Sequence, residues 1–173
     1  VDTAGPAINL TNLNLSNIPA FSGVFVRAHF SDVPDFSTVT FPTSAISFEN
    51  AFNGIDINST SSNRTMDFTN ITLKSTNFTG TFNSADFDTL ILGNNVDFSS
   101  VTTVQSMFYY TGITDIKLPT NINLSSLTNA GTMFVGAPTI STCQVDNLIR
   151  SFRDTAYSNN LTFDDNSTIT FDN

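Results

Sequence analysis

The amino-acid sequence predicts a repeat solenoid, mainly β, with a short helical turn in each coil and a C-terminal capping helix. Three observations predict it. A five-residue pattern, apolar-x-x-x-Phe, recurs as Phe21 to Phe25, Phe48 to Phe52, Phe78 to Phe82, Val104 to Phe108 and Ala130 to Phe134. The closing phenylalanines lie 27, 30, 26 and 26 residues apart, a period in the range of solenoid repeats. Two consecutive copies also superpose over their whole length. Leu90-x-Leu92, Val96-x-Phe98, Val101 and Val104 before Phe108 answer to Ile116-x-Leu118, Ile122-x-Leu124, Leu127 and Ala130 before Phe134.

Taken in order, residues 1–7 read as an N-terminal arm, because Gly5-Pro6 interrupts regular structure before the first strand pair, Ile8 to Leu15. Residues 8–140 read as the solenoid proper, about five coils long. Each coil combines a short strand, a polar turn, a second apolar pair and one turn of helix, since apolar residues two apart share a strand face and those four apart share a helical face. The longer interval between Phe52 and Phe82 is accounted for by a polar insertion at residues 58–63. A lone repeat of this size cannot bury its apolar face, so stacked neighbours must close one continuous core. The 17 phenylalanines, with no tryptophan, suit a ladder of rings down that core.

Beyond Phe134 the period stops. Ser141-Thr142-Cys143-Gln144 has the form of a capping box, and Val145, Leu148, Ile149 and Phe152 then fall on one helical stripe. Residues 141–173 are therefore expected to form a C-terminal cap, a helix followed by short strands at Leu161-x-Phe163 and Ile169-x-Phe171.

Ser99 to Phe108, ending in Met107-Phe108, and Ser125 to Phe134, ending in Met133-Phe134, resemble the BspA-type leucine-rich repeat of bacterial surface proteins. Similar repeats occur in virion proteins of tailed bacteriophages. The resemblance covers residues 8–140, with Ala51-Phe52 and Thr81-Phe82 standing where the family has Met-Phe. It implies a leucine-rich-repeat-like solenoid, exposed on a virion or cell surface and working by protein contacts.

Composition narrows the function classes. The chain of 173 residues is long enough for one domain with a sizeable core, and 39% hydrophobic content argues against disorder. Charged residues make up only 12%, so Asn, Ser and Thr must cover the surface, which suits a secreted or particle-bound protein. A net charge of −9 opposes binding to nucleic-acid phosphates. There is no run of about 18 apolar residues to cross a membrane.

Residues with chemical potential are few. His29 is the single histidine, so it offers neither a histidine metal cluster nor a triad by itself. Cys143 is the single cysteine, which rules out a disulfide within the chain. Carboxylate groupings at Asp86 and Asp88, at Asp164 and Asp165, and at Asp32, Asp35 and Glu49 suggest glycan chemistry, but six basic residues are scattered along the chain rather than gathered beside them. Asp164-Asp165-Asn166 matches no calcium-loop spacing. Nine Asn-x-Ser/Thr triplets, at Asn9, Asn14, Asn58, Asn63, Asn70, Asn77, Asn123, Asn160 and Asn166, are glycosylation acceptors only in a eukaryotic secretory pathway.

The expectation is therefore a non-enzymatic structural or adhesive protein with no catalytic residue, cofactor or metal. Its partners are other proteins of a particle or surface, copies of itself, or a host-surface receptor or glycan. The alternative is a carbohydrate-binding or carbohydrate-cleaving domain of a phage tail or secreted protein. Tyr109, Tyr110 and Arg64, at the end of the loop 58–64, are the candidate interface residues, because aromatic and arginine side chains tend to anchor interfaces.

Overall fold

The computed structural model describes residues 10–58, 60, 64–120 and 122–137. They form a parallel β-solenoid. The strands are β1 (His29–Phe30), β2 (Ile46–Ser47), β3 (Asp56–Ile57), β4 (Thr65–Asp67), β5 (Leu73–Asn77), β6 (Thr89–Ile91), β7 (Val96–Asp97) and β8 (Asp115–Lys117). Every pairing is parallel and joins one coil to the next: β4-β6-β8 and β2-β5-β7 are sheets three strands deep, and β1-β3 is a pair. Leu90 stands opposite Ile116, the register that superposing the two repeats predicts. The insertion after Asn58 falls between β3 and β4, so it lengthens one coil without shifting the ladder.

The apolar-x-x-x-Phe segments are not helical turns. Among the described residues there is no helix, and these segments are runs of β-turns. In residues 48–55 the amides of Ala51, Asn53 and Ile55 each donate to the carbonyl three residues back. The intervening amides of Phe48, Asn50, Phe52 and Gly54 leave the coil and donate to Asn77, Thr79, Thr81 and Asn83 of the next. The left-handed backbone that a type II turn needs at its third residue recurs at Asn50 and Gly54, at Gly80 and Ser84, at Ser106 and Tyr110, and at Thr132 and Gly136. A five-residue helix would have to meet the nucleation cost alone with Phe, Thr, Ser and Asn, which are indifferent helix formers. The turn run instead gives alternate amides a partner in the neighbouring coil.

These runs stack into a fourth wall of the solenoid, which we call the turn wall. Its inner rings form one column: Phe25, Phe52, Phe82, Phe108 and Phe134 follow one another at 5.5 to 5.8 Å between centroids, with interplanar angles of 4° to 14°. Phe21, Phe48 and Phe78 make a second column beside it, at 5.1 and 5.9 Å. Of the other repeat positions, Leu90, Val101, Val104, Ile116, Leu124 and Leu127 are buried, Leu118 and Ile122 are half-buried, and Leu13 is exposed. An apolar void of about 10 Å³, between Phe48, Phe52, Phe78 and Phe82, is at the lower limit for a water. The expected arm at residues 1–7 and cap at residues 141–173 lie outside the described residues.

Candidate functional site

The corners of the coil show how this sequence spends its polar side chains. Asp35, Asp67, Asp97 and Asn123 each accept, through Oδ1, the amide of the residue two positions on (Ser37, Thr69, Ser99, Ser125) at 2.7 to 3.0 Å. A β-turn then closes behind each, as from Val101 N–H to Phe98 O. A second cap precedes the turn wall, where Ser47, Asn77, Thr103 and Asn129 accept the amides of Glu49, Thr79, Gln105 and Gly131. Asp or Asn two residues before Ser or Thr is thus a structural corner, an Asx-turn. Several Asn-x-Ser/Thr triplets, at Asn14, Asn58, Asn77 and Asn123, are instances of it. The sequence reading missed this motif because Asp and Asn serve interchangeably; counting both together at the repeat period would have found it.

Of the carboxylates singled out from the sequence, Asp35 is committed to such a corner. The Ser37 hydroxyl and amide hold Asp35 below the usual carboxylate range. Ser99 does the same for Asp97, side chain first and then backbone, with Lys74 adding a weaker attraction. Asp32 accepts the Val33 amide and Glu49 accepts Asn77 Nδ2, and no group of three or more His, Cys, Asp or Glu that could hold a metal occurs among the described residues. The trio Asp32, Asp35 and Glu49 is therefore not assembled into such a cluster. His29 stands opposite Asp56 across β1-β3, with Nδ1 3.2 Å from the carboxylate, and is exposed. Cys143, Asp164, Asp165 and Asn166 lie outside the described residues.

Arg64 is a clasp. Its side chain is only 15% exposed, and its guanidinium meets Asp86 Oδ1 at 2.6 Å and Asp88 Oδ1 at 3.0 Å. It also donates to the carbonyls of Asp86 and Ile57. Burial pulls its pKa down, but the Asp86 hydrogen bond and the Asp86, Asp88 and Asp56 charges outweigh that and leave it raised. Asp86 and Asp88, considered as a carboxylate pair from the sequence, are the partners of this clasp. It ties Ile57 and Arg64, which flank the insertion, to the following coil.

Tyr109 and Tyr110 sit on the outer surface of the turn wall. Tyr110 is 59% exposed, Tyr109 is half-buried, and their rings meet edge to face at 4.6 Å. Tyr110 is held in left-handed backbone (φ 49°) by its amide bond to Val135 O. Its ring occupies the space over Gly136, where a Cβ would come within 2.7 Å of it. Glycine is required there by the neighbour's ring as much as by its own positive φ. The residues at the matching wall positions in the preceding coil are Asn83 and Ser84, so the surroundings are polar and uncharged. No hydrogen bond or ring contact among the described residues joins Arg64 to either tyrosine. Among the described residues, no helix is long and apolar enough to cross a membrane. Comparison with protein-family models, curated proteins and solved structures finds none that matches this chain.

Proposed function

We propose that this protein is a non-enzymatic structural or adhesive component of a virion or cell surface, acting through contacts along its walls. The observation that carries this reading is how the polar groups are used. Turn runs 78–84, 104–110 and 130–136 place Asn, Gln, Ser, Thr and Tyr but no charged side chain on the turn wall, a face that a partner can cover with little desolvation of charge. The turn wall offers an extended face, and Tyr110 is its exposed aromatic anchor. Kinship with leucine-rich-repeat surface proteins belongs to the same proposal, supported by the 26-residue period and by buried Met107-Phe108 and Met133-Phe134 at matching wall positions.

Antibody raised against the chain should label intact source cells or purified particles, and the double substitution of Tyr109 and Tyr110 by Ser should reduce assembly or attachment. Labelling only after lysis, or glycan cleavage by the purified protein, overturns the reading. The exposed Tyr110 ring also favours a second reading, carbohydrate binding by stacking against a sugar face. Binding of soluble glycans that is abolished by Tyr110→Ser would select it.

A further inference from the structure

The two ends of the turn wall are complementary. At each of the four junctions between consecutive turn runs, four amides of one coil donate to four carbonyls of the next, at 2.7 to 3.0 Å. The direction never changes, so the first run is left with carbonyls and the last with amides. Among the described residues, the carbonyls of Ala20, Ser22, Val24 and Val26 accept no hydrogen bond, and the amides of Ala130, Thr132, Phe134 and Gly136 donate none. Both rows come from the same turn geometry, and therefore have the same spacing and hand.

The side chains agree. The third position after the opening apolar residue is 0% to 2% exposed at Ala51, Thr81, Met107 and Met133, but 50% exposed at Val24. Among the described residues, only the first run lacks a coil on its carbonyl side. Val26 and Leu13 are exposed at the same end, and no lysine or proline within 20–26 blunts the row, as natural edges usually require. The left-handed residues also fit. Asn50 fills the space over Gly80, Arg27 that over Gly54, and Tyr110 that over Gly136. Each large residue precedes a glycine, and the last left-handed residue of its column, Thr132, would precede Gly23 of another copy.

We infer that the carbonyl end of one copy docks on the amide end of a second copy, continuing the turn wall and its phenylalanine column from Phe134 to Phe25. Docking two carbonyl ends would set acceptor against acceptor, so the association is head-to-tail. Such a contact is heterologous and, because it continues the stacking of the coils, propagates as a filament. This surface is separate from the Tyr109–Tyr110 face and is tested without it.

Sedimentation velocity should show concentration-dependent multiples of the chain, and Val24→Lys, at an exposed site, should weaken association by about tenfold or more by burying a charge. Geometry is tested by mixing two variants in a Cys143→Ser background, Ala20→Cys and Gly131→Cys. These positions correspond to Asn129 and Gln105, whose side chains meet at 3.0 Å across a junction. Oxidation should yield the mixed disulfide in preference to either homodimer. A monomer at every concentration overturns the inference. So does cross-linking confined to Ala20→Cys pairs.

Discussion

Six residues of the turn wall with side chains stand in left-handed backbone: Arg27, Asn50, Ser84, Ser106, Tyr110 and Thr132. For an L-residue that region costs about 1–2 kcal/mol, and glycine avoids it. Ser84 is exposed and its hydroxyl bonds only the adjacent Asn83 side chain, so little else is lost by removing it. Ser84→Gly should raise stability by about 0.5–1 kcal/mol, after the greater unfolded-state freedom of glycine is subtracted. Urea melts check it, and an unchanged or lower midpoint contradicts it. The corner carboxylates give a second test. Because the folded pKa of Asp97 is depressed, its contribution is fully present above the unfolded value, about 3.9, and is lost as pH falls through the lower folded value. Asp97→Asn keeps the Oδ1 acceptor, as Asn123 does one coil later, and removes the titration. Its melting temperature should fall less steeply than wild type below about pH 4; parallel curves would remove Asp97 from the acid response.

At the scale of the element, the wall explains how much of the fold was legible. Period, register, the phenylalanine column and the core positions all follow from the recurrence of apolar residues, because stacked coils place equal offsets on equal sites. The turn conformation did not follow. Apolar residues four apart share a side in one helical turn, and they also share a side in two successive four-residue turns, so Val104 to Phe108 alone does not separate the two. The left-handed positions separate them, yet only some carry glycine, and Thr132 and Tyr110 conceal the rest. Of the candidate interface, the exposure of Tyr110 was readable from its place beside a core Phe. The clasp made by Arg64 was not, because its partners Asp86 and Asp88 come from the next coil. An interior ring in this wall is packed by coils on both sides. Phe108, stacked between Phe82 and Phe134, should cost about 3–5 kcal/mol when replaced by Ala. A denaturation midpoint equal to wild type would mean the column is not packed in solution.

Among the described residues, each coil touches its neighbours, and the backbone is satisfied across coils more than within them. The solenoid is, among the described residues, a one-dimensional stack whose walls are surfaces and whose first and last turn runs keep unpaired rows of backbone groups. What separates this fold from a helical repeat is that the apolar-x-x-x-Phe segments bond between coils. It is tested most directly by NMR couplings across hydrogen bonds, in which an amide nitrogen reports the carbonyl carbon it is bonded to. The Phe108 amide lies 2.9 Å from Met133 O, whereas a helical turn would bond it to Val104 O. The predicted result is a Phe108–Met133 correlation, with matching Phe82–Met107 and Phe52–Thr81 correlations. A Phe108–Val104 correlation would contradict it.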